Sequence, residues 1–344
     1  MKKIRILKTS YLKRKIKEYI IKLSLIDYKL FNRKNIEDNK NLLIITLDAL
    51  GDNIIKSKTI EILASKYGKE NTYILCKNKW KVLYEIQGYK NIFVDETKWN
   101  IFYKIKQYRK LNNIGFNTIA IMNHSYIPEE AGYIFSGKKY DMSENVEYIL
   151  EKHVLILKKI LGKEYSIEEI KSDIRKYFPN KKYNNIISIA IGASNNKRTL
   201  PINKIAEIIK KLREKFPNKN IVILGSGKKQ ENYYKDLIKM IGEERLSNYI
   251  NKIPLLETIQ LIKDSDFFIG YDSGLLNIAF TLGKKSICLH WCKEKYIWEH
   301  PYFYIKTLKG KGGKEFIDSK YGTDILNSIT FEQIEEAINE LEIN

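Results

Sequence analysis

The sequence predicts an α/β protein made of two doubly wound units, with a basic helical extension at its N-terminus. Three observations predict it. Short continuous apolar runs, such as 42–47 and 186–191, have the length of buried strands and alternate with helical patterns. The alternation starts afresh after Phe178-Pro179-Asn180-Lys181-Lys182. The chain's 344 residues suffice for two domains of ordinary size. The expected division is 1–40 (helix and linker), 41–180 (first Rossmann-like unit), 181–328 (second Rossmann-like unit) and 329–344 (closing helix).

Residues 8–31 read as a basic amphipathic helix. Leu12, Ile16, Tyr19, Ile20, Leu23 and Leu30 recur at helical spacing, with Ile26 bridging one gap. Lys13, Arg14, Lys15, Lys17 and Lys22 mostly fall off that stripe. The stripe suits an anionic membrane surface or the protein's own first unit. Residues 32–40 form a polar linker.

The first unit then runs strand 42–47, helix 54–67 stopped by Gly68, strand 72–76, a helix near 79–87, strand 92–94, strand 118–122, and helix 144–161 stopped by Gly162. The second runs strand 186–191, helix 203–216 behind Pro201, strand 221–224, the turn Gly225-Ser226-Gly227, and helix 231–241. Helix 254–263, strand 267–269, helix 275–282 and strand 286–289 follow. Helix 330–341 opens with the capping-box pair Thr330 and Gln333. The lysine-glycine stretch 309–314 reads as a loop. Two such units face a cleft, and ligands bind beyond the carboxyl ends of their strands.

Composition narrows the function classes. Hydrophobic residues make up 44% and charged residues 30%, as in a globular chain, and no apolar run approaches the roughly 20 residues a membrane span needs. No secretory signal is visible at the N-terminus. Cys76, Cys288 and Cys292 make no CxxC pair and no disulfide framework, which fits a reducing cytosol and argues against zinc. Residues 1–40 hold thirteen Lys and Arg against four Asp and Glu, so +9 of the net +20 lies there. The remaining lysines are scattered and no nucleic-acid motif accompanies them, which argues against nucleic acid as the partner. An anionic membrane surface or a phosphate-bearing substrate explains the charge as well.

Two motifs carry chemistry. In Asp272-Ser273-Gly274 a strand gives way to a helix, whose N-terminal amides suit a phosphate while the aspartate suits sugar hydroxyls. Plain helix capping by Asp272 or Ser273 is the competing account. In Gly51-Asp52-Asn53 the glycine permits close approach of backbone to ligand, and Asp52 opens a helix at the end of the first strand. There too a cap is the alternative.

The segment 47–52, Leu-Asp-Ala-Leu-Gly-Asp, resembles the opening motif of glycosyltransferase family 9, the ADP-heptose:lipopolysaccharide heptosyltransferases. Three further segments resemble that family in order: 191–198 (Ile-Gly-Ala-Ser-Asn-Asn-Lys-Arg), 223–227 (Ile-Leu-Gly-Ser-Gly), and 266–274 with Ala279 and Leu282-Gly283-Lys284. The resemblance implies a GT-B fold, with an acceptor unit followed by a donor unit, and inverting, metal-independent transfer with no cofactor. The nucleotide sugar, ADP-linked, would be the substrate, and the acceptor a lipopolysaccharide core or other surface glycan. It implies Asp52 as general base and Lys197 as the cation on the leaving diphosphate. Ser273, Gly274 and Leu275 would supply phosphate donors, and Asp272 would hold sugar hydroxyls. Gly192, Gly225, Ser226 and Asn277 join the donor side, and Gly51 and Asn53 the acceptor cleft. On residue type alone, Lys197 is equally a solvated lysine.

This chain departs from the family in places. Asn277 stands where the family has histidine, and Lys228 and Lys229 stand where a glutamate or other polar group is expected near the base. Thr199-Leu200 replaces a tryptophan, so the sugar is heptose or another. A nucleotide-sugar epimerase of similar fold, or a non-catalytic sugar- or nucleic-acid-binding protein, are the rival readings. Asp264-Ser265-Asp266 has the DxD form but precedes its strand, so it reads as a helix-to-strand turn. Gly225-Ser226-Gly227-Lys228 lacks P-loop spacing. None of the four histidines pairs with a nucleophile in sequence, and His153 reads as structural.

Overall fold

The computed structural model describes residues 2–31, 40–95, 100–124, 126–143, 146, 148–193, 195–291, 304–312 and 322–343. Cys292, His300, and the last two residues (313 and 314) of the expected loop at 309–314 lie outside them. The chain divides into two compact units, Met1–Asp48 with Lys58–Ile170, and Ala49–Ser57 with Lys171–Asn344.

The first unit opens with α1 (Lys2–Leu23) and α2 (Ile26–Phe31), then β1 (Leu42–Thr46). The next helix, α3 (Leu50–Ile55), belongs to the second unit. After α4 (Ser57–Tyr67) come β2 (Thr72–Lys77), α5 (Lys81–Glu85), β3 (Asn91–Asp95), α6 (Ile101–Ile114), β4 (Thr118–Ile121), β5 (Lys138–Asp141), α7 (Ile149–Leu161) and α8 (Ile167–Ile170). The sheet is parallel, in the order β3-β2-β1-β4-β5. β1 is buried along its whole length, as a central parallel strand covered on both faces must be.

The expected helix over 8–31 is broken at Ser24-Leu25, and the stripe does not pack on the first unit, contrary to one of its two expected uses. Among the described side chains of this stretch, Ile21 and Leu25 are buried, packed with Tyr108 and Leu111 of α6. Arg109 of α6 donates to the Ser24 carbonyl at 2.9 Å. The stripe residues Leu12, Ile16, Tyr19, Ile20 and Leu23 are all exposed. The helix expected over 54–67 is likewise two helices, parted at the buried Lys56.

In the second unit come β6 (Ile186–Ala190), α9 (Ile202–Lys215), β7 (Asn220–Leu224), α10 (Lys228–Ile241), β8 (Leu246–Asn248) and α11 (Leu255–Asp264). β9 (Phe268–Tyr271), α12 (Gly274–Thr281), β10 (Ser286–Leu289), β11 (Ile305–Leu308), α13 (Asp324–Asn327) and α14 (Phe331–Glu340) complete it. Its sheet is parallel, ordered β11-β10-β9-β6-β7-β8. Counted within the unit this is 3-2-1-4-5-6, the Rossmann order, and it reverses between β6 and β9. Both units are thus α/β and doubly wound, as expected.

Several local expectations hold. Gly162 ends α7 in the left-handed conformation, with φ of 68°. Thr330 and Gln333 complete a reciprocal capping box on α14. Asp264 ends α11 with its carboxylate accepting from the Lys182 amide (2.7 Å) and the Gln260 side chain (2.6 Å), consistent with a structural turn.

Candidate functional site

The second unit gathers the motif residues beyond the carboxyl ends of β6, β7 and β9. At β9 the chain passes through Asp272 and Ser273 into α12. Ser273 takes the N-cap position in extended backbone but makes no side-chain cap. Its Oγ is buried and has no hydrogen-bond partner. The helix ladder starts with the Asn277 amide on the Ser273 carbonyl (3.2 Å), so the N–H groups of Gly274, Leu275 and Leu276 lie ahead of it. Asn277 is buried, and its Oδ1 also lacks a partner. Buried oxygens without partners beside a helix N-terminus are what a site awaiting a polar ligand presents.

α3 packs on this helix. A Cβ on Gly51 would stand 3.2 Å from Gly274 Cα, and one on Gly274 would stand 3.3 Å from the Gly51 nitrogen. The two helices therefore cross glycine to glycine, at a distance a larger residue would prevent. Gly51 also lies against the Asn277 side-chain amide. Asp52 sits in the first turn of α3, partly buried. Asn53, expected at the acceptor, is buried and turns its Nδ2 back on the Ala49 carbonyl (2.6 Å), which braces the start of α3. The sequence reading placed Gly51 and Asp52 on the first unit; the segment Ala49–Ser57 instead groups with the second.

The loop after β6 is pinned from both sides. Leu200 donates its N–H to Tyr271 Oη (3.3 Å), and its carbonyl accepts from Tyr233 (2.7 Å). Within the loop, Asn195 Oδ1 accepts from the Lys197 amide at 3.0 Å. That turn leaves Lys197 half-buried and directs its neighbour Arg198 to Asp272. Arg198 Nη1 lies 3.1 Å from Asp272 Oδ2 and 3.3 Å from the Asp272 carbonyl. The same guanidinium lies over the Trp291 ring, 5.1 Å from its centroid. The resemblance of segment 191–198 points to Lys197; only the folded loop shows its neighbour Arg198 on Asp272.

The glycine turn after β7 has a second unexpected resident. A Cβ on Gly192 would stand 2.7 Å from Gln230 Cδ, and one on Gly225 would fall on Gln230 Oε1. The Ser226 amide donates to that oxygen at 2.9 Å. Gln230 reaches both glycines because α10 begins at Lys228 and turns its third residue over them.

The first unit carries its own polar group where its strand order reverses, between β1 and β4. Asp48 accepts from Asn123 Nδ2 (3.1 Å) and from the His124 amide (3.0 Å). His124 Nε2 faces His153 Nε2 at 2.9 Å, and His153 Nδ1 bonds Thr59 Oγ1 at 3.2 Å. An imidazole pair so placed holds one proton between its two nitrogens. No spacing rule joins these residues, so sequence reasoning missed the pair. Cys76 and Cys288 are buried, outside any disulfide.

A sequence model of glycosyltransferase family 9 (heptosyltransferase) matches residues 116–299. Lipopolysaccharide heptosyltransferase 1 of Campylobacter coli is 25% identical over 202 residues, 54% of this chain and 56% of that protein. The chain thus spans little more than half the length of that relative. Among solved structures, E. coli heptosyltransferase WaaC with ADP-2-deoxy-2-fluoro heptose superposes with a TM-score of 0.66 at 12% identity, covering 87% of this chain and 99% of that one. A family 9 glycosyl transferase from Veillonella parvula DSM 2008 gives 0.68 at 15% identity, covering 88% and 97%. E. coli ADP-heptose lps heptosyltransferase II gives 0.64 at 15%, covering 88% and 98%. At these identities the structural likeness is one of fold.

Proposed function

The chain belongs to glycosyltransferase family 9, and from that premise we propose that it transfers heptose from ADP-heptose to a lipopolysaccharide core or other surface-glycan acceptor. The crossing of α3 on α12 carries the reading. It sets the helix of Asp52 against a helix N-terminus that holds two buried oxygens without partners. The structural relative bound to an ADP-heptose analogue and the curated lipopolysaccharide heptosyltransferase support the choice of donor and acceptor.

In the reaction, an acceptor hydroxyl oxygen forms the new bond to the anomeric carbon while that carbon's bond to the diphosphate breaks. Attack opposite the leaving group inverts the centre. The hydroxyl proton passes to the Asp52 carboxylate. The electron pair leaves with ADP, whose charge is met by Lys197 and by the amides at the start of α12. Asp272, held by Arg198, orients the sugar hydroxyls. Gln230 lies over the glycines that flank the nucleotide. The charge balance is carried by protein groups, and no cofactor is called for.

A thermal-shift panel of ADP-, UDP-, GDP- and CMP-linked sugars, followed by transfer assays with the stabilising donor, tests this. ADP-heptose is expected to stabilise and to be consumed. Asp52→Asn should lower turnover by about 10²–10⁴-fold and leave donor affinity unchanged. Lys197→Ala should weaken ADP and ADP-heptose alike. Full activity in Asp52→Asn would remove that carboxylate from the mechanism. Stabilisation by oligonucleotides alone would remove the enzyme reading.

A second reading within the family uses another nucleotide sugar. Asn277 favours it, because the residue in place of the family histidine is buried beside the same helix N-terminus with its Oδ1 without a partner. The panel separates the two donors directly.

A further inference from the structure

We propose that α1 and α2 form an interfacial anchor, docked on the first unit, whose outward face lies on an anionic lipid surface. The apolar stripe of Leu12, Ile16, Tyr19, Leu23, Ile26 and Leu30 is not the face that holds these helices to the protein. Ile21 and Leu25 do that, from the other side, with Arg109 tying down the Ser24 carbonyl. The stripe stays open to solvent, from 47% exposure at Ile26 to 64% at Tyr19. An apolar patch of this extent on a docked helix marks a contact surface.

Charge names the occupant. Lys15 and Lys22 lie seven residues apart on α1 and are exposed, so they line one flank of the stripe, and the exposed Lys29 follows on α2. Lys15 and Lys22 share Glu18 (2.9 and 2.7 Å), which keeps their stems beside the helix and their ammonium groups at its edge. An apolar strip edged by lysines, with tyrosine in the strip, matches the boundary between acyl chains and anionic headgroups. A second copy of the chain is the rival occupant, since the stripe has heptad spacing. Two features oppose it. The break at Ser24-Leu25 interrupts the seam after about two heptads, short of the three or four a coiled coil sustains. Antiparallel copies would also set the lysine rows against each other. The proposal does not rest on the transfer reaction, and its readout is binding.

The test is co-sedimentation of the full chain with vesicles of phosphatidylglycerol and phosphatidylcholine, and with phosphatidylcholine alone, beside sedimentation equilibrium without lipid. Binding to the mixed vesicles is expected to exceed binding to neutral ones by at least tenfold and to weaken with salt. The triple substitution Ile16→Ser/Tyr19→Ser/Leu23→Ser should abolish it. Lys15→Gln/Lys22→Gln/Lys29→Gln, which leaves every buried contact of α1 in place, should reduce binding by about fivefold per lysine on mixed vesicles only. Equal binding by the apolar triple variant with unchanged near-UV circular dichroism, or a dimer that the triple variant dissolves with no vesicle binding in the parent, would overturn it.

Discussion

Gly51 lies so close to Asn277 that a Cβ at position 51 would stand 2.8 Å from Asn277 Cγ and closer still to its Nδ2. The glycine of one sequence motif thus touches the residue that departs from the family in another. Gly51→Ala should therefore cost about 1–3 kcal/mol, since Asn277 is buried and Gly274 backbone closes the other side. Gly51→Ala/Asn277→Ala should recover more than half of that loss, because the removed amide frees the space. Thermal unfolding of the single and double variants decides it. Equal losses in both would show that the clash is with the backbone of α12.

Arg198 and Asp272 should act as a unit in donor binding. Arg198→Met leaves the Asp272 carboxylate without its 3.1 Å guanidinium partner, and Asp272→Asn removes the other half. Each is expected to weaken ADP-sugar binding about tenfold. The double variant should be no worse than either single, a coupling of about 0.5–3 kcal/mol. Calorimetric titration of the four proteins measures it, and strict additivity would show the two residues working apart.

Lys284 gives a pH signature. Burial lowers its pKa from 10.5 to about 8, against the pull of Asp266 and Asp264, while its ammonium donates to the Ser265 carbonyl. Below pH 8 the lysine is charged both folded and unfolded, and the fold bears the desolvation. Between pH 8 and 10.5 the folded protein releases this proton first, so the lysine's contribution to stability rises through that window. Urea unfolding at pH 7.5 and at pH 10 should show the wild type gaining on Lys284→Met. A difference that is flat or reversed would contradict the assignment.

The described thiols should be inert. Burial raises the Cys76 pKa to about 12 and holds that of Cys288 well above the ordinary value. In a Cys292→Ser variant, Ellman's reagent at pH 8 should count no thiol until denaturant is added, and two thereafter. Rapid labelling of the native variant would mean that one of these strands opens readily.

The central strands were legible because a strand covered on both faces writes its burial as a continuous apolar run, as β1 and β6 do. β5, β8 and β11 were not, and all three are edge strands. Lys138 and Lys139 open β5, and Lys306 and Thr307 fill the middle of β11. An edge strand can borrow its conformation from one neighbour and keep polar residues towards solvent, as these three do, whereas the edge strand β3 carries the apolar run Ile92-Phe93-Val94 and was legible. α6 was missed for a related reason. Its buried face is partly polar, with Lys104, Gln107 and Asn112 beside Tyr108 and Leu111.

The sequence by itself determined the α/β class, the two Rossmann-type units, the helix ends at Gly162 and Thr330, and the segments that resemble family 9. These rest on local periodicity and turn stereochemistry, which each short stretch of chain records. The tertiary structure alone decided which residues meet. It set Asn277 on Gly51, turned Arg198 to Asp272, laid Gln230 over Gly192 and Gly225, and joined His124 to His153. It also decided that the stripe of α1 faces outward. The periodicity of a helix shows that a stripe exists; only the packing of Ile21 and Leu25 against α6 shows which side the protein itself buries.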